Sequence, residues 1–302
     1  MSFNLPLFST LGVVVTYNCP IECSHCMYEC SSLRKEELDL TLFENILEDI
    51  VKNQQFKIIS LTGGEPFGNL EYLSKILEKI KRAGLLSGII TNGYWAESLK
   101  EAVETLKELP EIDFLSISTD TFHQEFVPIR NIFHAIEACK RLKIECSVTI
   151  CTEKKDRKFI RLYKQLKRKI SSDNINTSML FNVGRAFDNK PKIEPDITGN
   201  SSRCYMCKFP VLFPDGTIKG CIGPIGILDN HPLVYGNVND ESFNSIIKRQ
   251  YDNPYLFILL ESGPNALKEK LEFSGLITGN RMSSINNCQL CYEIMKGVEM
   301  GN

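Results

Sequence analysis

Residues 19–26 read Cys19-Pro20-Ile21-Glu22-Cys23-Ser24-His25-Cys26 and follow directly on an apolar run at residues 11–16. Cysteines separated by three and then two residues, on a loop leaving a buried strand, are donors for a metal centre. Three thiolates can hold three irons of a 4Fe–4S cube and leave the fourth open, because such clusters otherwise take four cysteines. An open iron is a coordination site for a substrate or cofactor. A zinc site, or chance clustering, is the plainer alternative.

The chain has 12 cysteines in 302 residues, unevenly placed. Cys30 joins the first three, Cys204, Cys207, Cys221, Cys288 and Cys291 lie beyond residue 200, and Cys139, Cys146 and Cys151 fall between. Residues 1–10 carry no basic leader, so a cytoplasmic location with reduced thiols is expected. Clustered reduced thiols mean metal or catalysis; the three intervening ones read as buried core thiols. No apolar run approaches the ~18 residues of a membrane span. The 35 basic and 37 acidic residues, net −2, argue against a surface built to wrap nucleic acid. Apolar residues at 43% and charged at 24% suit a globular chain of about two domains.

Outward from the first strand, short strands alternate with amphipathic helices. Thr41-Leu42-Phe43-Glu44 reads as a capping box opening a helix whose apolar face is Leu42, Phe43, Ile46, Leu47 and Ile50. Strand 57–62 leads to a helix with Leu70, Leu73, Ile76, Leu77 and Ile80 inward, and strand 86–91 to a helix over 97–108. Strands 114–118 and 144–151 lead to helices over 132–142 and 159–170, and a sixth strand is expected over 176–181. Six repeats without a hairpin signal imply a parallel sheet. Strands read as continuously apolar suit a sheet covered on both faces, either a partial barrel or an open doubly wound sheet. Nine basic residues between 154 and 169 sit over the stripe Phe159, Leu162, Tyr163, Leu166 and Ile170 and read as a solvated helix face.

The rhythm breaks after residue 187. Residues 189–202, rich in Pro, Gly, Asn and Ser, read as a linker. Residues 211–213 and 217–219 flank Pro214-Asp215-Gly216, a hairpin signal, and helices are expected near 243–250 and 255–260. This second unit is small for its own core, and a metal would staple it.

The Cys19–Cys26 run resembles the CxxxCxxC signature of radical SAM enzymes, and Gly63-Gly64-Glu65-Pro66 resembles that family's GGEP motif. The resemblance implies a partial (β/α)6 barrel over residues 1–187 that binds a 4Fe–4S cluster through Cys19, Cys23 and Cys26, and S-adenosylmethionine. Gly63, Gly64, Glu65 and Pro66 are expected to hold the cofactor, with the Glu65 carboxylate on its ammonium. Asn92 and Ser118 stand where ribose and methionine contacts are expected, and His25 is expected to pack beside the cofactor. Asp120 and His123 could face substrate or cap their loop. Arg185 could meet a substrate or cofactor carboxylate, or form an ordinary ion pair.

Residues 188–302 resemble a twitch domain, a shortened SPASM unit of small α+β build, through Pro214-Asp215-Gly216, Cys221 and Cys288-Gln289-Leu290-Cys291. Such a unit holds an auxiliary 4Fe–4S cluster, for which Cys204, Cys207, Cys221, Cys288 and Cys291 are candidates, one more than a cube needs. The chain also resembles the peptide epimerases of epipeptide biosynthesis through Cys30, Asn92-Gly93-Tyr94-Trp95 and Phe257-Ile258-Leu259. That likeness needs a hydrogen-donating cysteine just after Cys221, where this chain has Ile222, so Cys30 or the spare distal thiol would have to serve. Cys30, Asp120 and Arg185 are therefore the expected catalytic residues. The implied activity is hydrogen abstraction from an unactivated C–H bond of a ribosomally made peptide, with an electron donor such as flavodoxin or ferredoxin. The alternatives are an aminocyclitol-type dehydrogenase acting on a small molecule and a non-catalytic metal-binding scaffold.

Overall fold

The computed structural model describes residues 9–152, 156–189, 203–277 and 286–299. Most of the expected linker, with Lys154 and Lys155, lies outside them. The strands are β1 (Thr10–Thr16), β2 (Ile58–Gly63), β3 (Leu86–Thr91), β4 (Phe114–Ser118), β5 (Glu145–Thr152) and β6 (Ile175–Met179), then β7 (Val211–Leu212), β8 (Thr217–Lys219) and β9 (Val234–Asn237). Between the first six run α1 (Leu40–Asn53), α2 (Leu70–Arg82), α3 (Leu99–Glu108), α4 (Ile129–Leu142) and α5 (Arg157–Leu166). After them come α6 (Arg185–Asn189), α7 (Phe243–Tyr251), α8 (Pro254–Phe273) and α9 (Asn287–Glu299). Helix α8 is broken at Gly263, φ 82, where Pro264 restarts it.

The sheet order is β6-β5-β4-β3-β2-β1-β7-β8-β9, and β1 to β6 are all parallel. This monotonic order decides between the two architectures. A doubly wound sheet reverses its strand order at a switch point, whereas right-handed crossovers that never reverse put every helix on one face. The other face becomes the lumen of an open, partial barrel. The 214–216 turn forms as expected, pairing β7 with β8, and β7 lies parallel to the free edge of β1. The C-terminal strands thus extend the same sheet.

Continuous apolarity holds only for β1. In β2, Ile59 and Leu61 are buried against the helices, in β4 Leu115 and Ile117, and in β5 Val148 and Ile150. The alternate residues Thr62, Ser118, Thr149 and Cys151 line the lumen instead. One apolar and one small polar face per strand is the pattern of a barrel that takes a polar ligand inside. Burying each helix-facing aliphatic contributes about 1.5–3 kcal/mol. The capping box expected at Thr41 is displaced: Asp39 caps α1, accepting from Leu42 N at 2.7 Å. Helix α5 buries Phe159, Leu162 and Leu166 and exposes its Arg and Lys residues, as expected of a solvated face.

Candidate active site

The cysteine loop leaving β1 is held from several sides. Asn18 donates through Nδ2 to Ser32 O and Arg34 O at 3.2 and 2.9 Å, and Cys19 N donates to Ser31 O at 3.1 Å. From beyond β6, Arg185 donates through Nε to Cys23 O at 3.0 Å, through Nη2 to Cys30 O at 2.8 Å and through its backbone N–H to Cys26 O at 3.2 Å. Gly184, φ 56, approaches so closely that a Cβ would stand 2.2 Å from Met27 O. The three Arg185 bonds make it a positioning residue of the loop, and Arg185 also lines the site's cavity.

The three thiols sit in unlike surroundings. Burial pushes Cys19 up to about 12 and Cys23 higher still. Cys26 is held down to about 6, chiefly by hydrogen bonding from the Cys30 side chain, with the Cys30 N–H on its Sγ at 3.4 Å. Asn92 Nδ2 lies 3.7 Å from Cys19 Sγ. Such N–H contacts favour thiolate, the form that binds iron.

The glycines after β2 do their work against the protein's own backbone. A Cβ on Gly63 would stand 2.2 Å from Thr16 O, and one on Gly64 would stand 2.0 Å from Asn18 O. Gly64 N and Glu65 N donate to those same two carbonyls at 2.7 and 2.9 Å. Both glycines line the cavity on their other side. Glu65 does not. It is 1% exposed, and its carboxylate accepts from Thr91 Oγ1 and Asn92 N, each at 2.7 Å, and from Phe67 N at 3.1 Å. The expected contact with a bound ammonium is thus replaced by one that ties the glycine loop to the end of β3. Burial, opposed by these three donors, raises Glu65 to about 7. Pro66 is buried and opens a single 3-10 turn, and Trp95 stacks on Phe67 at 4.4 Å while donating to Thr91 Oγ1 at 3.0 Å.

At the end of β4, Asp120 is 1% exposed and both its oxygens are engaged. Oδ1 accepts from Phe122 N and His123 N at 2.9 Å each, and Oδ2 meets His123 Nδ1 at 2.7 Å and His25 Nε2 at 3.5 Å. His25 stacks on Phe122 at 4.7 Å, and burial lowers it to about 4. Burial also opposes charge on His123 and Asp120, but their mutual attraction prevails, raising the imidazole and lowering the carboxyl. Asp120 caps its loop and lines the cavity at once.

These pieces meet in one cavity of about 290 Å3 at the C-terminal ends of the strands. Its walls include Cys19, Cys23, Cys26, Cys30, His25, Gly63, Gly64, Asn92, Ser118, Asp120, His123 and Arg185. Sequence reading missed Thr62, Thr149, Cys151 and Ser178, which also face it. The signal was the period-2 alternation of β2, β5 and β6. Cys151, expected in the core, is a wall residue, whereas Cys139 is fully buried.

A family model for the radical SAM superfamily matches residues 13–166, just over half the chain. The chain belongs to the radical SAM superfamily. It is similar to YydG of Bacillus subtilis, named as a peptide biosynthesis protein, at 24% identity over 97% of this chain and 94% of that one. It is 30% identical to the cofactor-modifying protein of the tungsten-containing aldehyde ferredoxin oxidoreductase of Pyrococcus furiosus, over 44% of this chain and 37% of that one. Among solved structures, native anSMEcpe with bound AdoMet shares the fold, with TM-score 0.59 and 15% identity over 97% of this chain and 96% of that one.

Radical SAM enzymes use a 4Fe–4S cluster with S-adenosylmethionine, and the site's donor set suits both. Among the described residues, ligand triads within 4.8 Å are Cys23–His25–His123 and His25–Asp120–Cys151. Cys19, Cys23 and Cys26 do not form such a triad, so at least two of their thiols stand more than 4.8 Å apart. The polar lumen beside them offers hydroxyls, amides and open glycine backbone to a polar cofactor.

The same holds for the distal thiols, none of which appears in a triad within 4.8 Å among the described residues. Burial raises Cys291, with Cys221, Cys204 and Cys288 adding to it, and Cys207 is raised by its bond to Cys204 and by burial, with Cys221 and Cys291 adding. Cys221 Sγ accepts from Gly223 N at 3.1 Å, whereas Cys207 Sγ donates to Cys204 O at 3.1 Å. Tyr28 reaches across from the cysteine loop and donates to Ile222 O at 2.7 Å, and Ile222 itself lines the 290 Å3 cavity. Among the described residues no helix is long and apolar enough to cross a membrane.

Proposed function

We propose that this radical SAM enzyme modifies an unactivated C–H bond in a ribosomally made peptide. The observation that carries the reading is the likeness to a peptide biosynthesis protein along 97% of this chain. Cys19, Cys23 and Cys26 are the cluster ligands of a catalytic barrel over residues 1–187. Gly63, Gly64, Asn92 and Ser118 are the cofactor-binding wall, with Glu65 and Pro66 supporting it from behind. When bound, cluster and S-adenosylmethionine would supply the radical chemistry for removing a hydrogen atom from substrate. The chain's part is to place that C–H bond, to exclude water and to hold His25, Asp120 and His123 as a fixed polar wall.

Residues 188–302 are a twitch-like unit in which Cys204, Cys221, Cys288 and Cys291 hold a second cluster. Cys207, bonded to the Cys204 carbonyl, is the spare thiol. Reduced flavodoxin or ferredoxin is the electron-donor class. A second reading, net dehydrogenation, is favoured by Ile222, an inert side chain in the cavity wall where the epimerase likeness needs a hydrogen-donating cysteine.

Anaerobic reconstitution should give about eight irons per chain, falling to about four when Cys19, Cys23 and Cys26 are all changed to Ala. Turnover of a candidate precursor peptide in deuterated water separates the chemistries. Deuterium at a product α-carbon means epimerisation, and a product lighter by a pair of hydrogens means dehydrogenation. An unchanged peptide beside turnover of a small molecule overturns the peptide reading.

A further inference from the structure

A second, larger concavity of about 880 Å3 lies between the cysteine loop and the C-terminal hairpin, and Met27 and Tyr28 line both it and the catalytic cavity. Met27 and Tyr28 are thus the residues common to the two linings. The size of the larger concavity is within the range of ligand sites, about 300–1,000 Å3.

Its chemistry is uneven in charge. Glu29, Glu36, Glu37, Asp215 and Asp229 line it, against Arg34, Lys219 and Lys296. Two of those cations are already held by the protein itself. Arg34 bonds Glu36 at 2.7 Å, and Lys219, 4% exposed, donates to Gly226 O, Leu228 O and Asp229 Oδ1 at 3.0, 2.8 and 3.2 Å. Glu29, Glu37 and Asp215 form no ion pair among the described residues. The aromatic wall already receives cations: Arg34 lies over Tyr17 at 4.5 Å and Lys219 over Phe213 at 4.9 Å. Phe187, 60% exposed, offers the groove a further ring. Unpaired carboxylates beside the open ring of Phe187 are a receptor for Lys or Arg side chains, by ion pairing and cation–π contact together.

We infer that this groove docks a basic stretch of the substrate peptide, flanking the residue presented to the catalytic cavity, with Glu29 and Glu37 as its selective anions. The inference rests on the peptide reading above. A neutral or acidic stretch would leave the unpaired carboxylates uncompensated, so the groove selects for sequence as well as holding the chain.

The test uses the full, reconstituted chain and a fluorescein-labelled Gly-Lys-Gly-Lys-Gly-Lys-Gly peptide, with its Glu-for-Lys counterpart as control, read by anisotropy. The lysine peptide should bind more tightly, and more weakly as salt rises. Glu29→Gln with Glu37→Gln should weaken it about two- to thirtyfold, the size expected of two exposed ion pairs. Glu104→Gln, on α3, should leave binding unchanged. Equal binding of the two peptides, or lysine-peptide binding indifferent to the Glu29 and Glu37 changes, overturns the groove. The two readings fail separately. A precursor peptide modified with a KM that the paired change does not move overturns the groove alone. Lysine-peptide binding lost in the paired variant supports the groove, even where no peptide is modified.

Discussion

Arg185 Nη2 donates to Cys30 O at 2.8 Å, a bond that ties the chain after the last barrel strand to the loop after the first. With the companion bond from Nε to Cys23 O, one guanidinium braces both flanks of Cys26. A lysine here would replace two guanidinium nitrogens held apart by a rigid plane with one ammonium on a flexible stem, which does not reproduce that geometry.

Arg185→Lys and Arg185→Ala should therefore lower iron retention after reconstitution and destabilise the chain by about 2–4 kcal/mol, two charge-assisted bonds to backbone being lost. Iron content and the denaturant midpoint report the effect. Iron at the wild-type level in both variants would show that the loop holds itself.

Glu65 should make stability depend on pH in a defined sense. Its folded-state pKa is raised from 4.5 to about 7, so between those values the folded chain keeps a proton that the unfolded chain has released. The contribution is complete below about 4.5 and is lost as pH rises through about 7, amounting to about 3 kcal/mol at most. In Glu65→Gln that slope should vanish. The variant should also lose about 1–3 kcal/mol above that range, where Glu65 is ionised, because only its amide oxygen accepts and its NH2 must face either Asn92 N or Phe67 N. Parallel stability profiles for the two proteins would contradict this account.

Gly64→Ala should be far more damaging than a typical surface substitution. Its Cβ would stand 2.0 Å from Asn18 O, and a backbone carbonyl cannot swing aside as a side chain can. A loss above about 2 kcal/mol is expected, with reduced S-adenosylmethionine binding because the loop shifts. Thermal unfolding and equilibrium dialysis measure the two separately.

Tyr28 and Gly226 should be coupled. A Cβ on Gly226 would lie 2.3 Å from the Tyr28 hydroxyl. Tyr28→Phe alone removes the bond to Ile222 O and should cost about 1 kcal/mol. Gly226→Ala should cost more in the wild type than in the Tyr28→Phe background, with a coupling of at least about 0.5 kcal/mol in a double-mutant cycle. Additive effects would mean that the two residues do not share that space.

The spaced cysteines, the glycine pair after the second strand and the strand–helix rhythm were legible in the sequence because each is a local pattern. A ligand spacing, a turn requirement and a hydrophobic period each survive without knowledge of what lies opposite. Which face of a strand meets the lumen was also written locally, in alternations such as Leu115-Ser116-Ile117-Ser118. It was hidden by reading the strands as uniformly apolar.

Other roles were not written locally at all. Glu65 turns inward because Thr91 Oγ1 and Asn92 N, 26 and 27 residues on, arrive beside it when β2 pairs with β3. Arg185 braces the cysteine loop from 155 residues beyond Cys30, because the partial barrel curls its last strand end toward its first. Cys151 became a wall residue only when the register of β5 set its thiol on the lumen side. Residue type states what a side chain can do, and periodicity states which side of its own element it occupies. The partner it meets is set by strand order and register, which a single segment does not carry.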